Sequence, residues 1–185
     1  MPFDLIIWDC DGCLVDSERI ACEVPAALAT AHGYPITTEE YIERFAGKPA
    51  GNGISDLAGE PGCESMDEAF HKRIYDETLK AFSERLRPIP GLAPLLREMD
   101  LPMCVASGSS VERIRHALSF VGLMSFFEDK IFSSTQVARG KPAPDIFLFA
   151  ARQMGADPYK CLVIEVSVPG VQAAKAAGMT VFAYL

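Results

Sequence analysis

The chain reads as α/β: a parallel sheet with helices on its faces, and a second, all-helical segment inserted after the first strand. Three observations predict this. Short apolar runs recur along the chain and alternate with amphipathic helical patterns, as in parallel strands joined by crossover helices. The runs are nearly continuous in apolarity rather than alternating, which strands buried on both faces require. From Asp16 to about Arg87 only helical periodicity occurs, over a stretch too long to be one crossover helix.

The first run is "FDLIIWD", Phe3 to Asp9. Comparable runs follow at Pro102–Ser107, Lys130–Ser134, Cys161–Glu165 and Thr180–Leu185. In the inserted segment the periodicity predicts helices over Ser17–His32, over Thr38–Ala46 with Gly47 closing it, and over Asp67–Leu86. Pro25 lies inside the first of these and is expected to kink or interrupt it. "RPIPG", Arg87 to Gly91, reads as the hinge that returns the chain to the sheet. Three further helices are marked by their ends: one capped by Ser109 or Ser110 and stopped by Gly122, one over "APDIFLFAARQMG" stopped by Gly155, and one over "VPGVQAAKAAG" stopped by Gly178. The expected organisation is therefore an α/β domain of residues 1–16 and 88–185, with a helical domain of residues 17–87 set into it.

Composition limits the function. The chain has 185 residues, of which 49% are hydrophobic and 23% charged, enough for one or two small domains with a real core. A net charge of −8 argues against a nucleic-acid or anionic-membrane partner, either of which would be repelled. No apolar stretch is long enough to span a bilayer and no secretory leader is recognisable, so the expected location is cytoplasmic. The six cysteines are scattered. Cys10 and Cys13 form a CxxC, but no second pair and no nearby histidine completes a zinc or redox motif.

In open parallel sheets, chemistry sits beyond the carboxyl ends of the strands. There the sequence places Asp9 and Asp11 after the first strand, Ser107 at the end of the second, Lys141 soon after the third, and Glu165 at the end of the fourth. Two carboxylates two residues apart on extended backbone point the same way, and oxygen ligands so placed suit Mg²⁺. Gly12 allows a sharp turn there. Taken singly, each residue has an ordinary reading: a solvated turn, a helix cap, a surface lysine, a strand-end acid. Together they form a set at successive strand ends of one sheet. There is no GxSxG elbow, and Gly140–Lys141 lacks the upstream glycine of a P-loop.

"DCDGCLVDS", "VASGS", "GKPAPDIF" and "VIEVSVPGVQAAKAAGM" resemble the four motifs of the haloacid dehalogenase superfamily, in particular its phosphatases and phosphomutases with a small helical cap. The resemblance spans nearly the whole chain and implies a Rossmann-like core with a cap inserted after the first motif. It implies that Asp9 attacks phosphorus, that Asp11 acts as acid and then base, and that Ser107, the Gly108 N–H and Lys141 stabilise the transferring oxygens. Asp16 would steady the first loop. Mg²⁺ would be held by Asp9, the Asp11 main-chain carbonyl and the acid after the fourth strand.

This chain departs from that pattern in three places. The resemblance expects Glu-Asp where Glu165-Val166 stands, so Glu165 or solvent would have to fill a vacant ligand position. No histidine stands near Ala21, where β-phosphoglucomutase carries a general acid, which favours hydrolysis. Relatives continue past the fifth strand, so the chain reads as truncated, with an apolar edge that a second copy could cover; a monomer or weak homodimer is expected. The cap loop Arg44–Gly51 carries Lys48, either the cation for an anionic substrate or a solvated lysine. The expected function is a Mg²⁺-dependent phosphatase of a small phosphorylated metabolite, a sugar or sugar-acid phosphate. The alternatives are a catalytically impaired phosphate-binding or regulatory relative, and a β-phosphoglucomutase-like phosphomutase.

Overall fold

The structure, a computed structural model, describes residues 2–45 and 66–184. It divides into two compact units, one formed by Met1–Asp16 with Arg87–Leu185 and the other by Ser17–Leu86.

The first unit is a five-stranded sheet in the order β3-β2-β1-β4-β5. Its strands are β1 (Leu5–Trp8), β2 (Met103–Ser107), β3 (Ile131–Ser133), β4 (Cys161–Glu165) and β5 (Thr180–Ala183), and every neighbouring pair is parallel. The continuous apolar runs have the predicted cause. All residues of β1, β2 and β3 are buried, whereas β5, at the edge, is largely exposed. From β1 the chain builds β2 and β3 on one side, then returns to build β4 and β5 on the other. The strand order therefore reverses at β1, and a crevice opens at its carboxyl end.

Alternation along the strands separates two packing faces. Leu5, Ile7, Cys104, Ala106, Cys161 and Val163 form one core cluster with Ile146, Phe147 and Ala150 of one helix and Ala173 and Ala174 of another. Ile6, Trp8, Met103 and Val105 are buried on the opposite face.

The inserted unit contains α1 (Glu18–Ala31), α2 (Thr38–Phe45) and α3 (Glu68–Arg85). Cys22, Ala26 and Ala29 of α1 meet Tyr41 and Phe45 of α2 and Phe70 and Ile74 of α3 in a separate core. Against expectation, α1 runs unbroken through Pro25. Pro25 lies on the buried stripe of that helix, where packing offsets the missing N–H. A Thr37–Glu40 capping box starts α2: the Thr37 N–H donates to the Glu40 carboxylate at 2.8 Å, and the Glu40 N–H to Thr37 Oγ1 at 3.2 Å.

The sheet is completed by α4 (Leu92–Glu98), α5 (Val111–Phe120), α6 (Met124–Phe127), α7 (Asp145–Gln153) and α8 (Val168–Ala176). Ser110, not Ser109, caps α5, and Ser167 caps α8. Neither α4 nor α6 is anticipated from periodicity, since seven and four residues give too few turns for a stripe.

Candidate active site

Asp9 follows β1 at the point where the strand order reverses, and its N–H donates to the Ile164 carbonyl, 3.0 Å away. The chain then bends through Gly12, whose φ is +74° and whose N–H donates to the Val15 carbonyl. Asp9 is only 6% exposed. Lys141 reaches it from the segment between β3 and α7, donating from Nζ to Asp9 Oδ1 at 2.8 Å and to Glu165 Oε1 at 2.6 Å. The ammonium also lies 5.1 Å from the centre of the Phe147 ring, a favourable contact with its π-face. Lys141 is thereby fixed from three sides.

Two buried carboxylates thus share one ammonium, for a net charge of −1. The two partners respond differently. Burial raises the Asp9 carboxyl from its ordinary 3.8 to about 7; Lys141 opposes the rise and Glu165 adds to it. Burial pulls the Lys141 amine down, but Asp9 and Glu165 outweigh it and hold the amine above its usual range. Lys141 remains a cation, and Asp9 is the group left short of positive charge.

Glu165 is fully buried. While Oε1 accepts from Lys141, Oε2 accepts from the N–H groups of Val166 and Ser167, at 2.8 and 2.7 Å, and from Ser167 Oγ at 3.0 Å. It therefore also ties down the entry to α8. Gly170 closes over it from the first turn of that helix, so tightly that a methyl group there would overlap the carboxyl.

The other side of the crevice comes from the β2–α5 turn. Ser107 is buried, and its Oγ accepts from the Ser109 N–H at 3.1 Å; Gly108, between them, is half-buried. Ser109 Oγ donates to Asp11 Oδ2 at 2.6 Å, and Arg113 Nη2 donates to Asp11 Oδ1 at 3.3 Å. Ser133, at the end of β3, donates to the Ser109 carbonyl at 2.6 Å and holds the turn in place. Lys141, Asp9 and Glu165 thus form one contact group, and Ser107 connects to Asp11 through Ser109. Lys48 lies outside the described residues.

These positions allow a test of the Mg²⁺ implied by the sequence. Glu165 has both oxygens on protein donors, Val166 has no ligand atom, one Asp9 oxygen is on Lys141, and the Asp11 carboxylate is on Ser109 and Arg113. Among the described residues no group of three or more His, Cys, Asp or Glu side chains is placed to hold a metal ion. The described residues do not fit a resident Mg²⁺.

Several contributors were not anticipated. Phe147, Ser167 and Gly170 carry no chemistry of their own and act through Lys141 and Glu165. Arg113 did carry a signal, since a cation in the first turn of a helix opposes the helix dipole and calls for a local partner. The CxxC cysteines are buried free thiols, and burial raises both above the usual thiol range.

Comparison with known proteins bears on this arrangement. The family model for haloacid dehalogenase-like hydrolases matches residues 3–178. The 6-phosphogluconate phosphatase of Escherichia coli is 32% identical over 181 residues, covering 97% of this chain and 81% of that protein. A phosphorylated carbohydrates phosphatase of Thermotoga maritima is 31% identical, covering 95% of this chain and 82% of that protein. Among solved structures, a haloacid dehalogenase-like protein from Agrobacterium tumefaciens superposes with a TM-score of 0.83 at 39% identity, covering 98% of this chain and 82% of that one.

Proposed function

Because the chain belongs to the haloacid dehalogenase-like hydrolases, we propose that it is a phosphatase acting on a small phosphorylated metabolite, a sugar or sugar-acid phosphate, through a phosphorylated Asp9. The observation that carries this is Asp9 itself, a buried carboxylate at the topological switch point, oriented by Lys141. Lys141 occupies Oδ1. Oδ2 accepts no hydrogen bond among the described residues and is the oxygen that attacks.

In the first step a bond forms between Asp9 Oδ2 and phosphorus while the ester P–O bond breaks. The electron pair goes to the leaving oxygen, which takes a proton from the Asp11 carboxyl. In the second step water attacks phosphorus, its proton goes to Asp11, and the P–O bond to Asp9 breaks, regenerating the carboxylate. Lys141, the Ser107 hydroxyl and the Gly108 N–H are the donors for the equatorial oxygens of the transferring group. Phosphatase rather than mutase activity is supported by the relatives named above and by the absence of a histidine near Ala21.

A catalytically impaired phosphate binder is the second reading, favoured by Val166 and by the fully engaged Glu165. Turnover separates the two. Release of p-nitrophenol from p-nitrophenyl phosphate, abolished in Asp9→Asn, is expected of the phosphatase. A folded parent without turnover, with or without Mg²⁺, would remove that reading. A panel of sugar and sugar-acid phosphates that includes 6-phosphogluconate then narrows the substrate.

A further inference from the structure

Building on the phosphatase reading, we infer that Ser133, the last residue of β3, is a positioning residue for Asp11. It acts through the backbone carbonyl of Ser109, whose hydroxyl holds the Asp11 carboxylate.

A serine hydroxyl has one proton to give and two lone pairs with which to accept. Ser133 is fully buried, and its Oγ gives that proton to the Ser109 carbonyl at 2.6 Å. It accepts from the Thr135 N–H at 3.1 Å and, because its own proton is spent, from the Thr135 hydroxyl at 2.9 Å. The Ser133 N–H donates to Gln136 Oε1 at 2.8 Å, completing a capping box on the short 3-10 helix Ser134–Gln136. The Ser133 hydroxyl is therefore saturated, and its proton has one direction. Capping accounts only for the contacts it accepts. The bond it donates crosses to the turn after the neighbouring strand and serves no helix.

Ser109 in turn is tied by all of its polar groups. Its N–H donates to Ser107 Oγ at 3.1 Å, its carbonyl accepts from Ser133, and its hydroxyl donates to Asp11 Oδ2 at 2.6 Å. Ser107 and Ser133 are register partners on β2 and β3, so the backbone of Ser109 is pinned to two strand ends while its side chain reaches the loop after β1. Arg113 holds the other Asp11 oxygen at a longer 3.3 Å. A carboxyl passes a proton to a leaving oxygen only from within hydrogen-bond reach, and a misplacement of about 1 Å can cost roughly 100-fold in rate. Without the Ser133 hydroxyl the Ser109 carbonyl loses this donor, and the turn can rotate and carry the Ser109 hydroxyl away from Asp11.

Leaving-group dependence separates this role from a general loss of structure. Phenyl phosphate and p-nitrophenyl phosphate differ by one nitro group, but phenoxide is the far more basic leaving group and depends more on a proton from Asp11. kcat/KM is measured on both esters for the parent, Ser133→Ala, Ser109→Ala and the double variant, with thermal midpoints to keep the assays on folded protein. Ser133→Ala is expected to lose about tenfold or more on phenyl phosphate and several-fold less on p-nitrophenyl phosphate. Ser109→Ala should show the same bias, and the double variant should show no more bias than Ser109→Ala alone, because the two residues act in series. Should Ser133→Ala not fold, Gln136→Ala loosens the same seat from its exposed side and should shift the ratio in the same direction by less. Equal losses on the two esters, additive biases in the double variant, or, where Ser133→Ala does not fold, an unchanged ratio in Gln136→Ala would overturn the role of Ser133 and leave the phosphatase reading standing. A folded parent inert on both esters would remove that reading and the inference with it.

Discussion

Gly170→Ala should be among the most damaging single-methyl changes in the protein. In an ordinary helix, replacing glycine by alanine gains roughly 1 kcal/mol. At position 170 the new Cβ would fall within the Glu165 carboxyl, too close to Cδ and both oxygens. On a surface a glutamate would swing aside at little cost. Here it is fully buried and accepts from Lys141, the Val166 and Ser167 N–H groups and Ser167 Oγ, so displacement leaves a buried ammonium half-paired and N–H groups without an acceptor. Disrupting one partner of such a pair costs about 3–5 kcal/mol, which for a chain of this length lowers the thermal midpoint by roughly 6–20 °C. Turnover should fall as well, because Lys141 loses an anchor. The control is Gly140→Ala, whose methyl would meet Ser134 Oγ at an ordinary 3.6 Å. The assay is thermal and urea unfolding of both variants, with p-nitrophenyl phosphate turnover below the transition. A Gly170→Ala protein as stable as the parent would refute the packing argument.

Other variants probe the site separately. Asp9→Asn should gain stability over the parent by a few kcal/mol as pH rises from about 4 to about 7. Burial makes the folded parent keep a proton that the unfolded chain has lost, and the parent's stability falls across that window; parallel urea-midpoint curves for the two proteins would contradict this. Lys141→Met leaves Asp9 and Glu165 as an uncompensated buried pair, and a loss of about 3–5 kcal/mol is expected at pH 8, shrinking toward pH 5 as Asp9 takes up a proton. Arg113→Met removes a partly exposed ion pair worth at most about 1 kcal/mol to the fold, yet should lower kcat about tenfold or more with little change in KM by freeing the Asp11 carboxyl; an unchanged kcat would remove Arg113 from the site. Lys48→Ala should raise KM for a sugar phosphate more than for p-nitrophenyl phosphate, and equal effects on both would return Lys48 to the solvated surface.

The sheet was legible because burial writes itself into composition: β1 and β2, buried on both faces, and β4, fully buried on one face and partly on the other, fall inside apolar runs, and the acids and the serine that end those runs stand at the strand ends. Lys141 follows β3 and Glu165 ends β4, but residue type alone does not say that one ammonium bridges Asp9 and Glu165, or that both Glu165 oxygens are taken. That depends on the β1–β4 register and on the close approach of α8, which are three-dimensional facts. Arg113 lies far from Asp11 in sequence, and only the adjacency of β1 and β2 brings them together. The continuity of α1 through Pro25 is a case of packing overriding local propensity.

The chain leaves and re-enters the sheet unit along one narrow ribbon: Val15 faces Pro88 in an antiparallel bridge, the Asp16 N–H donates to the Arg87 carbonyl, and the Ile89 N–H donates to the Leu14 carbonyl. Both ends of the excursion are thereby stitched to one spot, and the sheet senses only that the stitches meet. The closure entropy of the stretch between them grows slowly, by about 0.6 kcal/mol for each doubling of its length. Everything between positions 17 and 86 can therefore be lengthened, shortened or exchanged over evolutionary time without shifting the register of β1. Asp9 keeps its place whatever length or sequence the intervening stretch takes.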